Sequence, residues 1–162
     1  SKGIEEKGIL VVGIGAGARY KMLKPNLYAK ILKIFINKKN IKKIFLLGAG
    51  DRDIKYLAEL KKYIDFKDFN IQNLVNKVFL DESIDIISNC EYYLGFDSGL
   101  FHVAASLKIK TFGIFTKINE FSHNNWENVT IFCGKPCISN KNEYFGNSEL
   151  NNISLDEVEK LL

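Results

Sequence analysis

Continuous apolar runs that end in glycine alternate along this chain with stretches whose apolar residues recur every three to four positions. The first run, Gly8-Ile9-Leu10-Val11-Val12-Gly13, has the unbroken hydrophobicity of a strand buried on both faces. A small-residue turn follows, Gly13-Ile14-Gly15-Ala16-Gly17-Ala18. Helical spacing begins near Pro25, a residue suited to a first helical turn, with Leu27, Ile31, Ile34 and Phe35 on one face. Ile44-Phe45-Leu46-Leu47 reads as a second strand, closed by Gly48-Ala49-Gly50-Asp51. The helix after it is expected to turn Ile54, Leu57, Ala58 and Ile64 inward. Residues 74–80 read as a short strand or extended stretch, and Asp81 or Glu82 opens a helix carrying Ile84 and Ile87. Glu91-Tyr92-Tyr93-Leu94 runs as a strand into Gly95, and residues 98–107 form a helix with Leu100, Val103, Ala104 and Leu107 as its apolar stripe. Strands at 111–115 and 129–132 flank a polar, loop-like stretch over 116–128. A last helix spans 154–162, with Ser154 as N-cap and Glu157 completing a capping box.

Strands alternating with helices specify an α/β fold, a Rossmann-like doubly wound parallel sheet. Ligands of such sheets sit beyond the carboxyl ends of the strands. Four loops fall on that edge: 13–18, 48–51, 97–102 and 116–119. With no internal repeat, low-complexity tract or internal linker, the chain reads as one domain over residues 1–162.

Composition narrows the partners. Apolar residues make up 46% of the chain, enough for a sizeable core, and no apolar run approaches the roughly 18 residues of a membrane span. Residues 1–8 are polar and mixed in charge, unlike a signal peptide, and the lack of an initiator methionine points to a processed or excised chain. The net charge of +4 rests on lysine, since only Arg19 and Arg52 among the 23 basic residues are arginine. Nucleic-acid readers lean on arginine for bidentate contacts, so no nucleic-acid partner is expected. Lys30, Lys33, Lys38, Lys39, Lys42 and Lys43 read as the solvated face of a helix and its loop, with anionic lipid or phosphate as the alternative. Three cysteines argue against a disulfide scaffold and for a reducing cytoplasm.

The run Gly95-Phe96-Asp97-Ser98-Gly99-Leu100-Phe101-His102 sets a carboxylate, a hydroxyl, a glycine and an imidazole on one strand-to-helix turn. Such a turn points free N–H groups and the positive end of a helix dipole at a ligand, and a diphosphate fits it. Asp97 reads as the N-cap of the helix, as a ligand group, or as both. Ser98 can donate to a phosphate oxygen, and Gly99 lets the backbone approach closely. His102 falls one turn into the helix, off its apolar stripe, and so faces the rim. Gly13, Gly15 and Ala18 fit the G-x-G-x-x-A dinucleotide fingerprint, but residues 19–24 intervene before the helix, and the neighbourhood of Lys33 is basic where an acidic residue is needed. A tight turn and a phosphate-facing backbone are the other readings of this loop. Lys21 favours the latter, with Arg19 as an alternative cation. Ser98 and His102 do not make a hydrolase, because the run is not G-x-S-x-G and a pair four apart on one helix does not orient a base. Cys133 and Cys137, with His123, lack zinc-knuckle spacing, and Cys90 reads as core.

Together these segments resemble the C-terminal domain of the lipopolysaccharide heptosyltransferases, glycosyltransferase family 9, one half of a GT-B architecture. The resemblance runs from about Ile9 to the C-terminus. Gly15-Ala16-Gly17-Ala18-Arg19-Tyr20-Lys21 and the helix start at Pro25 are similar to the family's small-residue loop, lysine and proline-marked helix. Leu46-Leu47-Gly48-Ala49-Gly50-Asp51-Arg52-Asp53 is similar to its glycine-rich second turn, and Asn73-Leu74 with Val78-Phe79-Leu80 to its Asn-Leu segment. The strongest match is Asp97-Ser98-Gly99-Leu100-Phe101-His102-Val103-Ala104-Ala105, to Asp-(Ser/Thr)-Gly-x-x-His-x-Ala-(Ala/Gly). Cys133-Gly134-Lys135-Pro136-Cys137 resembles a Cys-x-Pro-Cys segment with one residue extra. Leu23-Lys24 stand where the family has an aromatic residue before the proline, and Ala16 and Gly17 where it often has hydroxyls.

The resemblance implies the donor-binding half of an inverting glycosyltransferase that moves heptose from ADP-heptose to the lipopolysaccharide inner core. By position, Lys21 would hold the diphosphate or sugar beside the small loop at Ala16 and Gly17. Asp97, Ser98 and Gly99 would cradle the phosphates with support from His102, Val78 would pack on the base, and the turn bearing Gly50 and Asp51 would line the ribose and base pocket. No cofactor and no metal are implied, because fixed cations and amides can hold the leaving diphosphate. The catalytic base and the lipid A–core acceptor site would belong to an N-terminal domain, so this chain is expected to bind donor without transferring sugar. A cytoplasmic protein in peripheral contact with the inner membrane is implied. The alternatives are a non-catalytic nucleotide-binding α/β module, a family transferase using another nucleotide-sugar, and a dinucleotide-dependent oxidoreductase.

Overall fold

The structure, a computed structural model, describes residues 7–116, 126–139 and 141–162. Six strands form one sheet: β1 (Ile9–Gly13), β2 (Lys43–Leu47), β3 (Ile71–Asn73), β4 (Tyr92–Phe96), β5 (Lys110–Phe115) and β6 (Val129–Cys133). Their spatial order is β3-β2-β1-β4-β5-β6, with every pair parallel. The helices are α1 (Pro25–Lys39), α2 (Asp51–Leu60), α3 (Leu80–Ser88), α4 (Gly99–Ser106) and α5 (Leu155–Leu161). Strand order reverses between β1 and β4, which opens a crevice beyond their carboxyl ends.

Side-chain alternation divides the core into two layers. Leu10, Val12, Leu94, Phe96 and Phe112 pack with Phe35 of α1, Tyr56 of α2 and Val158 of α5. Val11, Leu47, Tyr93 and Phe115 pack with Ile87 of α3 and Phe101 of α4. In the first layer two buried tyrosines reach backbone acceptors. Tyr28 Oη donates to the Gly13 carbonyl at 3.0 Å and Tyr56 Oη to the Leu23 carbonyl at 2.5 Å. Burial pushes both phenols well above their ordinary pKa, so both stay neutral donors. Their rings extend an aromatic cluster, Tyr28 on Phe96 at 4.7 Å and Tyr56 on Phe145 at 4.9 Å between centroids. Phe145 thereby anchors the segment that follows β6 against α2.

Several elements sit differently from their sequence expectation. Helix α2 buries Asp53, Tyr56, Leu57 and Leu60, leaves Ile54 42% exposed and exposes Ala58, while Ile64 is buried beyond the helix end. The helix is rotated because Tyr56 can satisfy its hydroxyl inside. In α4 the inward residues are Phe101, Ala104 and Ala105, whereas Leu107 is 41% exposed. Strand β3 precedes the expected 74–80 stretch. Asn70, at φ 52°, turns the chain so that Ile71 pairs with Ile44, and Asn76 at φ 60° breaks the later run. Helix α3 starts at Leu80, and Glu82 reaches back from its third position to accept the Phe79 N–H at 3.1 Å. Ser154 caps α5 as expected, accepting the Glu157 N–H at 3.2 Å.

Candidate functional site

The carboxyl ends of β1, β2 and β4 surround an open cavity of about 820 Å³, within the usual range for small-molecule sites. One wall is Gly13, Gly15, Ala16, Gly17 and Lys21; a second is Leu47, Gly48, Ala49, Arg52 and Asp53. The third runs from Asp97 through Ser98, Gly99 and Leu100 to His102 and Val103, and the space is closed by Val78, just before α3, and by Leu80 and Ser83 of α3. Three of the four loops expected on this edge therefore meet. Residues 117–119 of the fourth lie outside the described residues.

At the third wall Ser98, and not Asp97, is the N-cap of α4. Ser98 has extended backbone, and its Oγ accepts the Phe101 N–H at 3.4 Å. The Asp97 carboxylate instead lies 3.5 Å from His102 Nε2, with both side chains 43% exposed at the rim. Leu100 and Val103, expected in the helix's buried stripe, line the cavity. The N–H groups of Gly99 and Leu100 belong to the opening turn of the helix and have no intrahelical acceptor. A Cβ on Gly99 would meet nothing within 4 Å, so the approach to these donors is open.

The first wall separates two cations that the sequence left as alternatives. Arg19 Nη1 donates to the carbonyls of Glu143 and Tyr144 at 2.6 and 2.8 Å, away from the cavity lining. Lys21 closes the short 3₁₀ turn Arg19–Lys21, lines the cavity, and takes part in none of the ion pairs among the described residues.

The second wall is laced to the first through α2. Asp53 is 5% exposed, and its Oδ2 accepts the Ala49 N–H at 2.9 Å. A Cβ on Gly15 or Gly48 would fall 2.6 or 2.7 Å from the same oxygen, so both loops need glycine where they pass the carboxylate. Burial raises the Asp53 carboxyl pKa, opposed by the Ala49 hydrogen bond and the Arg52 charge. Arg52 Nη2 donates to the Ala16 carbonyl at 2.5 Å.

Gly50 and Asp51 do not line the cavity. Gly50, at φ 90°, turns the chain into α2 and donates its N–H to Asn76 Oδ1 at 2.7 Å, while Asp51 is exposed. Asp51-Arg52-Asp53 has the spacing of an acidic pair, yet the helix sends one carboxylate to solvent and buries the other. Sequence reasoning missed Arg52, Asp53, Leu80 and Ser83 as lining residues, and the acidic pair was the signal available for Asp53.

Cys90 is buried, as expected of core, and none of the three cysteines is in a disulfide. Cys137 Sγ lies 3.2 Å from the Ser148 carbonyl, and burial, with Glu149 nearby, raises the Cys133 thiol pKa. His123 lies outside the described residues. Among the described residues no three His, Cys, Asp or Glu side chains group as metal ligands. Lys38, Lys39, Lys42 and Lys43 gather at the opposite, amino-terminal edge of the sheet.

A doubly wound α/β domain with its ligand cleft at the reversal of strand order is the class that this fold and site define. The chain belongs to glycosyltransferase family 9: the model of that family, described as glycosyltransferase family 9 (heptosyltransferase), matches residues 2–149. Lipooligosaccharide heptosyltransferase 2 of Campylobacter jejuni subsp. jejuni serotype O:6 is 25% identical over 125 residues, which are 77% of this chain and 40% of that protein. The E. coli ADP-heptose lipopolysaccharide heptosyltransferase II superposes with a TM-score of 0.75 at 19% identity, over 96% of this chain and 45% of its own. The E. coli heptosyltransferase WaaC with ADP gives 0.71 at 13% identity, over 96% and 43%. This chain thus spans less than half the length of these relatives. Among the described residues no helix is long and apolar enough to cross a membrane.

Proposed function

We propose that the cavity binds the nucleotide diphosphate of a sugar donor, ADP-heptose, and that this chain is the donor-binding part of an inverting heptosyltransferase of the lipopolysaccharide inner core. The observation that carries the reading is Lys21, in no ion pair among the described residues, lining the same cavity as the N-terminus of α4. Family membership and the ADP named with one fold relative support the choice of nucleotide.

In this reading the diphosphate lies over the first turn of α4. The Gly99 and Leu100 N–H groups and the Ser98 hydroxyl donate to its oxygens, and Lys21 supplies a mobile positive charge from the other wall. Val78 and Leu80 give apolar contact for the base, and His102 supports the phosphates from the rim. Asp53, rather than Gly50 or Asp51, is the group of the second wall placed to meet ribose hydroxyls. An acceptor hydroxyl, deprotonated by a base outside this chain, attacks the anomeric carbon. The carbon–oxygen bond to the diphosphate breaks, and ADP leaves with the bonding electrons. Lys21 and the α4 amides stabilise that charge as it develops, and the reaction so written requires no cofactor or metal. The lipid A–core acceptor is held outside this chain, at the cytoplasmic face of the inner membrane.

Calorimetric titration with ADP tests this, with UDP, GDP and NADH as controls and Lys21→Ala and His102→Ala as variants. ADP binding that falls about tenfold in Lys21→Ala, and less in His102→Ala, is the expected result. Equal affinity for UDP would point to another nucleotide-sugar. Preferential NADH binding would restore the oxidoreductase alternative, and binding of no nucleotide would sink the donor reading.

A further inference from the structure

Among the described residues, the hydroxyl of Tyr93 is the fully buried side-chain polar atom without a hydrogen-bond partner. The buried hydroxyls of Tyr28 and Tyr56 both reach carbonyls, so the difference is local. Tyr93 and Gly95 share the face of β4 that looks toward α3 and α4. The ring fills that layer with Val11, Cys90 and Phe101. The hydroxyl ends between the carboxyl-terminal glycines of two neighbouring strands. A methyl on Gly95 would lie 2.8 Å from the oxygen, and one on Gly13 would run directly into it. Gly13 is part of the cavity lining, so the phenol lies just beneath the cavity floor. Phenylalanine would fill the same layer without burying an unpaired hydroxyl, which packing alone does not explain.

The polar side chain next to this hydroxyl on the cavity side is Ser98. Burial raises the Tyr93 pKa well above its ordinary value and the Ser98 hydroxyl draws it back, so the phenol is a neutral donor close to Oγ. Ser98 Oγ has two lone pairs and one proton. One lone pair already accepts the Phe101 N–H.

We propose that Tyr93 is a positioning residue for the anion site: when an anion draws the single Ser98 proton into the cavity, the Tyr93 hydroxyl donates to Ser98 Oγ, fills its second lone pair, and so holds that proton on the anion. The proposal rests on the reading that the cavity holds a diphosphate. With the anion bound, a chain runs from Tyr93 O–H to Ser98 Oγ and from Ser98 O–H to a phosphate oxygen. Each link polarises the next in a site shielded from water.

The test titrates ADP, inorganic pyrophosphate and adenosine into wild type, Tyr93→Phe, Ser98→Gly and the double variant, and records thermal melting without ligand. Glycine is chosen at 98 because it caps a helix nearly as well as serine. Tyr93→Phe is expected to melt at or above the wild-type temperature and to lose on the order of tenfold in affinity for ADP and pyrophosphate, with adenosine unchanged. The double variant should bind no worse than Ser98→Gly alone. Unchanged ADP affinity in Tyr93→Phe, or losses that add in the double variant, overturns the proposal while leaving the donor reading intact. If wild type binds pyrophosphate but not ADP, the nucleotide reading falls, and the same variants decide Tyr93 with pyrophosphate. If neither binds, both fall.

Discussion

Arg19 donates its guanidinium to the Glu143 carbonyl at 2.6 Å, which commits the larger cation of the first glycine loop to holding the chain's C-terminal segment. Tyr144 adds its carbonyl at 2.8 Å, and its ring lies 5.1 Å beneath the guanidinium carbon. Gly146 returns an N–H to the Arg19 carbonyl at 3.0 Å. Lys21, two residues on, faces the cavity without an ion-pair partner among the described residues. The two substitutions should therefore separate. Arg19→Ala should cost about 1 kcal/mol of stability, an amount limited by exposure of the contacts, and leave ADP affinity within about twofold. Lys21→Ala should leave stability within about 0.5 kcal/mol and weaken ADP, most visibly at low salt where an exposed charge is least screened. Urea denaturation and calorimetry on both variants measure the pair. A Lys21→Ala variant that is unstable but binds normally would reverse the assignment.

Asp53 supports a prediction with a defined pH sign. Burial raises its carboxyl pKa, so the native state keeps a proton that the unfolded chain has already released. Its contribution to stability is complete below the unfolded-state pKa and is lost as pH rises through the folded-state value. Asp53→Asn keeps an oxygen for the Ala49 N–H and carries no charge. It should be at least as stable as wild type at pH 7, and the advantage should shrink as pH falls toward the ordinary carboxyl range near about 4. Asp53→Ala strands the Ala49 N–H and should lose about 1–2 kcal/mol at every pH. Denaturation curves across the acid range decide it, and a wild type more stable than Asp53→Asn at pH 7 would mean that the charged form is the one the site favours.

Apart from β3, the sheet was legible because its signal is redundant: each of the other strands holds a short apolar run closed by glycine or a polar turn, and the alternation with helices leaves few topologies. Helix faces were less legible. Tyr56 and Asp53 look solvent-facing until Leu23 and Ala49, distant or turned back in the chain, supply their partners. The third wall of the cavity could be read from 97–102 because one continuous segment carries it. The second could not, because rotation of α2 decides whether Asp51 or Asp53 faces inward, and that rotation goes with the partners Tyr56 and Asp53 find at Leu23 and Ala49 rather than with local spacing. Asn70 and Asn76, both at positive φ, moved β3 by several residues, a choice that asparagine permits but does not announce.

Glycines with open space offer a probe of ligand position that folding does not confound. A Cβ on Gly17 or Gly99 meets nothing within 4 Å, and neither residue has the positive φ of Gly50. Gly99→Ala lies in the first turn of α4 and should raise stability by roughly 0.5–1 kcal/mol through the unfolded chain's lost freedom. If a phosphate lies against these amides, the added methyl should still cut ADP affinity by about tenfold or more. Gly17→Ala tests the opposite wall in the same way. Normal ADP affinity in both variants would place the diphosphate away from the two loops.

Gly48 and Asp53 should show coupled energetics, because one carboxylate sets the spacing of two cavity walls. A methyl at Gly48 would lie 2.7 Å from Asp53 Oδ2, 3.1 Å from Ile14 Cγ1 and 3.3 Å from Asp53 Cβ. The carboxylate is held by the Ala49 N–H and sits on the first turn of α2, so it cannot swing aside without losing that bond. Gly48→Ala should cost about 1–3 kcal/mol, the usual range for overpacking. In an Asp53→Ala background the closest obstacle is gone, and what remains is Ile14 Cγ1 at 3.1 Å and the Cβ that alanine keeps at 3.3 Å, contacts that a shift of a few tenths of an ångström relieves. The glycine substitution should then cost at least about 1 kcal/mol less, a coupling of the size found for residues in contact. Gly15→Ala, aimed at the same oxygen from the other loop, should show the same relief. If both glycine costs survive removal of Asp53 undiminished, the spacing of the walls is set by the strands alone and the carboxylate does not lace them together.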